Sequence, residues 1–211
     1  MPNYKCLLFD MDGTIADTDM MILLSYNEMY RRYGKGQAKG WDEVMYFSGP
    51  PLRETLQREF PDLDLETLTK AFAEISDPYY DSTVKVFPHE LETLKYLHDK
   101  GYKMGVVTNK ATYKAEYVLK MLGIDQFFDV LIGREDVKKG KPSGEGIITA
   151  MNKLGFKATE TLYIGDNDID YLTASDAGTD CMLVAWGPRV LQLLDKTKYV
   201  IRKYEEMEEI L

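Results

Sequence analysis

The run Cys6-Leu7-Leu8-Phe9, together with what stops it, limits the fold most. Consecutive apolar residues without a charge suit one short strand buried on both faces, as in a parallel sheet covered by helices on either side. The run ends at Asp10-Met11-Asp12-Gly13-Thr14. Residues two apart in an extended segment share a side, so Asp10 and Asp12 can aim both carboxylates at one mouth of the sheet. Gly13 lets the chain turn sharply there. Carboxylates held that close repel unless a cation or a proton stands between them. The pair therefore implies a metal ion, a shared proton, or both. Taken alone, Asp12-Gly13 is equally an ordinary turn after a strand.

Beyond this strand the chain first reads as helical. Met20, Ile22-Leu23-Leu24, Tyr26, Met29-Tyr30 and Tyr33 recur at helical spacing, with a stop expected at Gly34. A loop with Lys35, Gly36, Lys39 and Gly40 leads to Trp41–Phe47 and then to Ser48-Gly49-Pro50-Pro51-Leu52. Two more amphipathic helices are expected over Arg53–Phe60 and Leu65–Asp77, with Asp77-Pro78 opening a further short one through Asp81. The character changes at Phe87-Pro88. Helices are expected over 89–100, 112–122, 143–154 and 170–176, and strands over 102–107, 127–132 and 161–164. Residues 181–185 form the last apolar run, and short closing helices are expected over 191–194 and 203–211. Alternating strands and helices predict an α/β fold, a Rossmann-like doubly wound parallel sheet. Its core would comprise residues 1–17 and 85–211, with a helical cap domain over 18–84 inserted after the first strand. In such sheets the site lies beyond the carboxyl ends of the strands, where Asp10, Thr108 and Asp166 fall.

Composition excludes several roles. The 211 residues carry 26 basic and 35 acidic side chains, a net charge of -9, which argues against nucleic acid as a partner. No window approaches the run of about 20 apolar residues that spans a bilayer, and the stretch before Asp10 lacks the form of a signal peptide. No membrane partner and a cytoplasmic location are the expectations. Cys6 and Cys181 lie in apolar runs and read as buried free thiols.

Asp10-Met11-Asp12-Gly13-Thr14, continued by Ile15-Ala16-Asp17-Thr18, resembles the DxDGT motif that opens the haloacid dehalogenase-like hydrolases. Val106-Val107-Thr108-Asn109 resembles their second motif, a strand ending in Ser or Thr. Lys141, in Lys139-Gly140-Lys141-Pro142-Ser143, matches the third, a lysine before proline. Gly165-Asp166-Asn167-Asp168-Ile169-Asp170 resembles the fourth, GDxxxD. The motifs stand in the family's order across nearly the whole chain.

The resemblance implies Mg²⁺-dependent hydrolysis of a phosphate ester. Asp10 would be the nucleophile that forms an aspartyl-phosphate, and Asp12 the general acid and base. Mg²⁺ would be held by the Asp10 side chain, the Asp12 backbone carbonyl and the Asp166 side chain. Thr108, Asn109 and Lys141 would hold the phosphoryl group. Asp170 would steady Lys141 or a metal-bound water, and Asp168 falls at a variable position behind them. The chemistry agrees independently: carboxylate oxygens suit Mg²⁺, and a lysine and a hydroxyl suit phosphate. His89 and His98 read as structural, His89 standing where the family often has glycine.

Dehalogenases of the family carry an aromatic residue at the Asp12 position, so an acid there favours phosphoryl chemistry. The Lys/Arg-rich cap signature of the sugar-phosphate mutases is missing between Gly40 and Leu56. Phosphonate hydrolysis needs a Schiff-base lysine from the cap, for which Lys35 and Lys39 are candidates, although both read more simply as surface lysines. Phe47-Ser48-Gly49-Pro50-Pro51-Leu52 resembles the GxPL segment of phosphoglycolate phosphatases and pyrophosphatases. The expected substrate is a small-molecule phosphate ester, phosphoglycolate first, then pyrophosphate and nucleoside or sugar phosphates, with Arg53 touching the leaving group. A monomer or weak homodimer is expected. The alternatives are a pyrophosphatase, mutase or phosphonatase of the same family, or a catalytically idle binding protein. The intact set Asp10, Asp12, Thr108, Lys141 and Asp166 counts against the last.

Overall fold

The computed structural model describes residues 4–33 and 39–211. The expected helix stop at Gly34 and the candidate Lys35 lie outside the described residues. Strand β1 (Cys6–Phe9) is wholly buried and sits centrally in a six-stranded sheet. Its companions are β2 (Lys103–Val107), β3 (Val130–Ile132), β4 (Thr161–Gly165), β5 (Asp180–Val184) and β6 (Tyr199–Ile201). All pairs are parallel and the order is β3-β2-β1-β4-β5-β6. That is the doubly wound order whose reversal beside the first strand creates a binding crevice.

Strand periodicity sorts the side chains into two layers. Leu7, Phe9, Val106 and Ile164 face one layer, with Leu94 and Leu97 of α5 (Glu90–Asp99) and Val118 of α6 (Thr112–Leu122). Cys6, Leu8, Val107 and Tyr163 face the other, with Ile147 and Ala150 of α7 (Glu145–Leu154) and Ala174 of α8 (Asp168–Ala177). Phe9 is in register with both Val106 and Ile164, so β1, β2 and β4 end within one residue of level and deliver Asp10, Thr108 and Asp166 to one rim.

Between β1 and β2 the chain builds helices: α1 (Asp19–Arg32), α2 (Trp41–Val44), α3 (Leu52–Glu59) and α4 (Leu65–Thr83). It leaves and re-enters the sheet region side by side, through an antiparallel bridge in which the Asp17 N–H donates to the Lys85 carbonyl at 2.9 Å. Tyr26 packs against Phe47 and Phe72, with ring centroids 4.6 and 5.1 Å away, and Tyr30 against Phe60 at 5.1 Å.

Several expected boundaries shift. The short helix expected to open at Pro78 is instead the last turn of α4, which runs straight through. Proline frees the carbonyl one turn back, at Glu74, but both residues are exposed, so the loss falls on the solvent side of the helix. No helix forms over 191–194, because the Asp168 carboxylate takes the backbone N–H groups of Gln192 and Leu193 at 2.8 to 3.0 Å. The strand β6 was missed; its three residues are too short to show a period. The closing helix α9 is shorter than expected, Glu206–Ile210. A 3₁₀ turn over Asp125–Phe127 trims β3 to its last residues. His89 holds φ 61°, the left-handed conformation that explains a position where glycine is common. No helix among the described residues is long and apolar enough to cross a membrane.

Candidate active site

The level strand ends bring the acids together. Carboxylate oxygens of Asp10, Asp166 and Asp170 lie within 4.8 Å of one another, and all of these residues are buried. Asp170 comes from the first turn of α8, where its Oδ2 accepts the Asn167 N–H at 3.0 Å. Lys141 is the cation between them: its Nζ lies 2.6 Å from Asp10 Oδ1 and 2.7 Å from Asp170 Oδ1, and donates to the Tyr163 hydroxyl at 3.2 Å. Its own N–H donates to Asn109 Oδ1 at 2.8 Å. Burial alone would pull the Lys141 ammonium down, but Asp10 and Asp170 reverse this and hold it well above its ordinary value. Burial pushes Asp10 up to about 7, against the pull of Lys141, and Asp166 up to about 8, against that of Arg189. At both acids burial therefore outweighs the side-chain cation nearby.

The other expected residues line a cavity of about 430 Å³ between the strand ends and the inserted helices. Thr108 is buried there, its Oγ1 accepting the Lys110 N–H at 3.1 Å. Asn109 donates to the carbonyl of Gly49 at 3.0 Å, tying the rim to the Gly49-Pro50-Pro51 loop. Asp12 also lines the cavity, but its carboxylate stands apart from the Asp10, Asp166 and Asp170 cluster and pairs instead with Lys110. Arg53 reaches the lining while half-exposed and paired with Glu66 at 2.7 Å. Lys39 does not line the cavity; it pairs with Glu43 at 2.8 Å.

Two site residues had been missed. Arg189 donates to Asp166 Oδ2, to Asp19 Oδ1 at 2.7 Å and to the Met45 carbonyl at 2.9 Å. Lys110 sits 3.0 Å from Asp12 Oδ1 and donates to the Tyr80 hydroxyl at 3.0 Å. Strand-end logic applied one strand further points to the loop after β5, which carries Arg189, but marks no residue within it. Lys110 directly follows Thr108-Asn109. Asp168, by holding the chain at 192–193, also steadies the segment that carries Arg189. Gly13 (φ 84°) is obligatory here, because a Cβ would collide with the Asp166 carboxylate and crowd Arg189.

A parallel sheet with an acid-and-lysine cluster at its carboxyl edge, and helices inserted directly after the first strand, defines a class of α/β hydrolase. The chain belongs to the haloacid dehalogenase-like hydrolases, whose family model matches residues 7–184. It is 32% identical over 208 residues to "Pyrophosphatase PpaX" of Halalkalibacterium halodurans, covering 97% of this chain and 95% of that one. It is 33% identical over 207 residues to the protein of the same name in Bacillus mycoides, with 97% and 95% covered. A structure from Bacteroides fragilis, provisionally described as a haloacid dehalogenase-like hydrolase, superposes with a TM-score of 0.88 at 29% identity over 97% of this chain and 99% of its own. One from Lactobacillus delbrueckii subsp. bulgaricus, provisionally described as a phosphoglycolate phosphatase, gives 0.84 at 26%, with 99% and 98% covered. The protein is a hydrolase of the family's phosphatase branch.

Proposed function

We propose that this protein is a Mg²⁺-dependent phosphatase that hydrolyses a small phosphate ester through an aspartyl-phosphate on Asp10. The observation that carries this reading is Lys141, fixed between Asp10 and Asp170 with Asp166 alongside, at the floor of a cavity. The donor set suits the ion: buried carboxylate oxygens from three side chains, close enough together to share one cation. The Asp10 and Asp166 side chains and the Asp12 carbonyl would hold Mg²⁺, with Asp170 at its edge. When bound, the ion supplies a Lewis acid that withdraws charge from the phosphoryl oxygens.

In this reading a carboxylate oxygen of Asp10 attacks phosphorus, and the bond to the leaving oxygen breaks. Asp12 gives that oxygen a proton, then takes one from the water that cleaves the acyl phosphate, restoring both carboxyl groups. Lys141, the Thr108 hydroxyl and Asn109 bind the phosphoryl oxygens and hold the group in line. Residues 18–84 act as a cap that excludes water when it closes, hinged beside the Asp17–Lys85 bridge. Phosphoglycolate is the first substrate to try. Pyrophosphate follows closely, since the relatives quoted above are named for it.

The test is turnover of a panel of metabolite phosphates with and without Mg²⁺. Metal-dependent hydrolysis is expected, with Asp10→Asn losing a factor on the order of 10⁵. Full turnover by Asp10→Asn on every phosphate tried would overturn covalent catalysis.

A further inference from the structure

The cations of the site differ in what they face. Lys141 and Arg189 are each surrounded by acids at the floor. Lys110 stands higher, between Asp12 of the core and Tyr80 of α4, and is itself part of the cavity wall. An ammonium has three donors, and beyond Asp12 and Tyr80 no further side-chain acceptor meets this one among the described residues. Lys114, in the first turn of α6, also lines the cavity. Its Nζ is 4.8 Å from the centre of the Tyr80 ring and 5.3 Å from that of Tyr117, and its carboxylate partner is the exposed Asp77. The inserted segment contributes Ile22, Phe47, Leu52 and Phe72 to the lining, along with Arg53 and Glu54.

We propose that Lys110, backed by Lys114, binds an anionic group on the leaving group, so that the substrates are phosphate compounds carrying a carboxylate or a second phosphate next to the scissile bond. The proposal rests on the phosphatase reading, which places Asp12 at the leaving oxygen. A group that touches Asp12 from the side of the inserted helices then touches whatever is bonded to that oxygen. A buried, charged donor discriminates strongly, because a neutral leaving group would leave that donor without the partner it is positioned for. The apolar side chains of the lining accommodate a short carbon skeleton. A purely structural role, with Lys110 as a strut between Asp12 and Tyr80, makes a different prediction: all substrates would suffer alike when it is removed.

The experiment compares kcat/KM for 2-phosphoglycolate and its neutral, nearly isosteric amide, 2-phosphoglycolamide, with pyrophosphate as a second anionic compound. Wild type, Lys110→Gln and Lys110→Arg are measured with Mg²⁺. Wild type is expected to prefer the carboxylate over the amide by a factor on the order of 10–100, the worth of a hydrogen bond to a charged group. Lys110→Gln should bring that ratio near one, whatever it does to turnover in general, and Lys110→Arg should keep most of it. A ratio unchanged in Lys110→Gln, or a wild type indifferent to the charge, overturns the proposal while leaving the phosphatase reading intact. So does a wild type that hydrolyses neutral aryl phosphate but neither anionic compound. Failure to hydrolyse any phosphate compound would instead remove the reading itself.

Discussion

The buried acids are neutralised from opposite sides by cations of different kinds. Lys141 has all its partners on the sheet and the segments that follow its strands: Asp10, Asp170, the Tyr163 hydroxyl and, through its backbone, Asn109. Arg189 reaches across. It binds Asp166 at the floor, but its other donors go to Asp19 at the start of α1 and to the Met45 carbonyl after α2. On the Lys141 side, charge balance is independent of the inserted helices. On the Arg189 side, the contact that balances Asp166 also fastens those helices down, and it lies on a carboxylate that would face a metal ion. A compact ammonium suits the first place. A planar guanidinium with donors on several edges suits the second.

Substituting each cation sharpens the contrast. Lys141→Met should cost the most, about 3–5 kcal/mol in chemical denaturation, because it leaves Asp10 and Asp170 buried together without their cation. An unchanged denaturation midpoint would show that the lysine does not balance these acids. Arg189→Gln should cost less, and its deficit should depend on metal. The melting temperature of the metal-free variant is expected to fall below that of the wild type, and the gap to close as Mg²⁺ is added, since a cation at Asp166 replaces the lost charge. Calorimetric titration should show tighter Mg²⁺ binding by the variant. For Lys141→Met the gap should close only in part, since an ion at Asp10 replaces the charge there but not the ammonium's bonds to Asp170 and Tyr163. Equal responses from the two variants would erase the distinction.

The same contrast explains what was legible in the sequence. Asp10, Thr108 and Asp166 each end an apolar run, so a parallel sheet has to bring them to one edge, and Lys141 stands in a recognisable local string. Arg189 follows Trp186-Gly187-Pro188 in an irregular loop, where nothing periodic marks it, and its partner Asp19 is 170 residues away in the chain. Lys110 was hidden differently. A lysine just after a strand reads as a solvated loop residue until Tyr80 of α4 closes over it. The helix through Pro78 and the strand β6 escaped for local reasons, since an exposed proline costs the helix little and three residues show no alternation.

Glu90 is the control for this pattern, a buried acid that no lysine or arginine pairs with among the described residues. It opens α5 beside the left-handed His89, and its Oε2 accepts the Phe87 N–H at 2.8 Å. Burial raises its carboxyl well above the ordinary 4.5, and that one backbone hydrogen bond offsets only part of the rise. The sign follows from linkage. Above about pH 4.5 the unfolded chain releases this proton while the folded chain retains it, so the folded state loses stability as pH rises toward the folded value. One group contributes at most about 1.4 kcal/mol per pH unit to that slope. Glu90→Gln keeps an acceptor for Phe87 and cannot ionise. Its stability relative to wild type should therefore grow with pH from about 4.5 upward, read from denaturation midpoints across the range. Parallel profiles would mean that Glu90 finds a cation or water in solution, and that unpaired burial is not what separates it from Asp10 and Asp166.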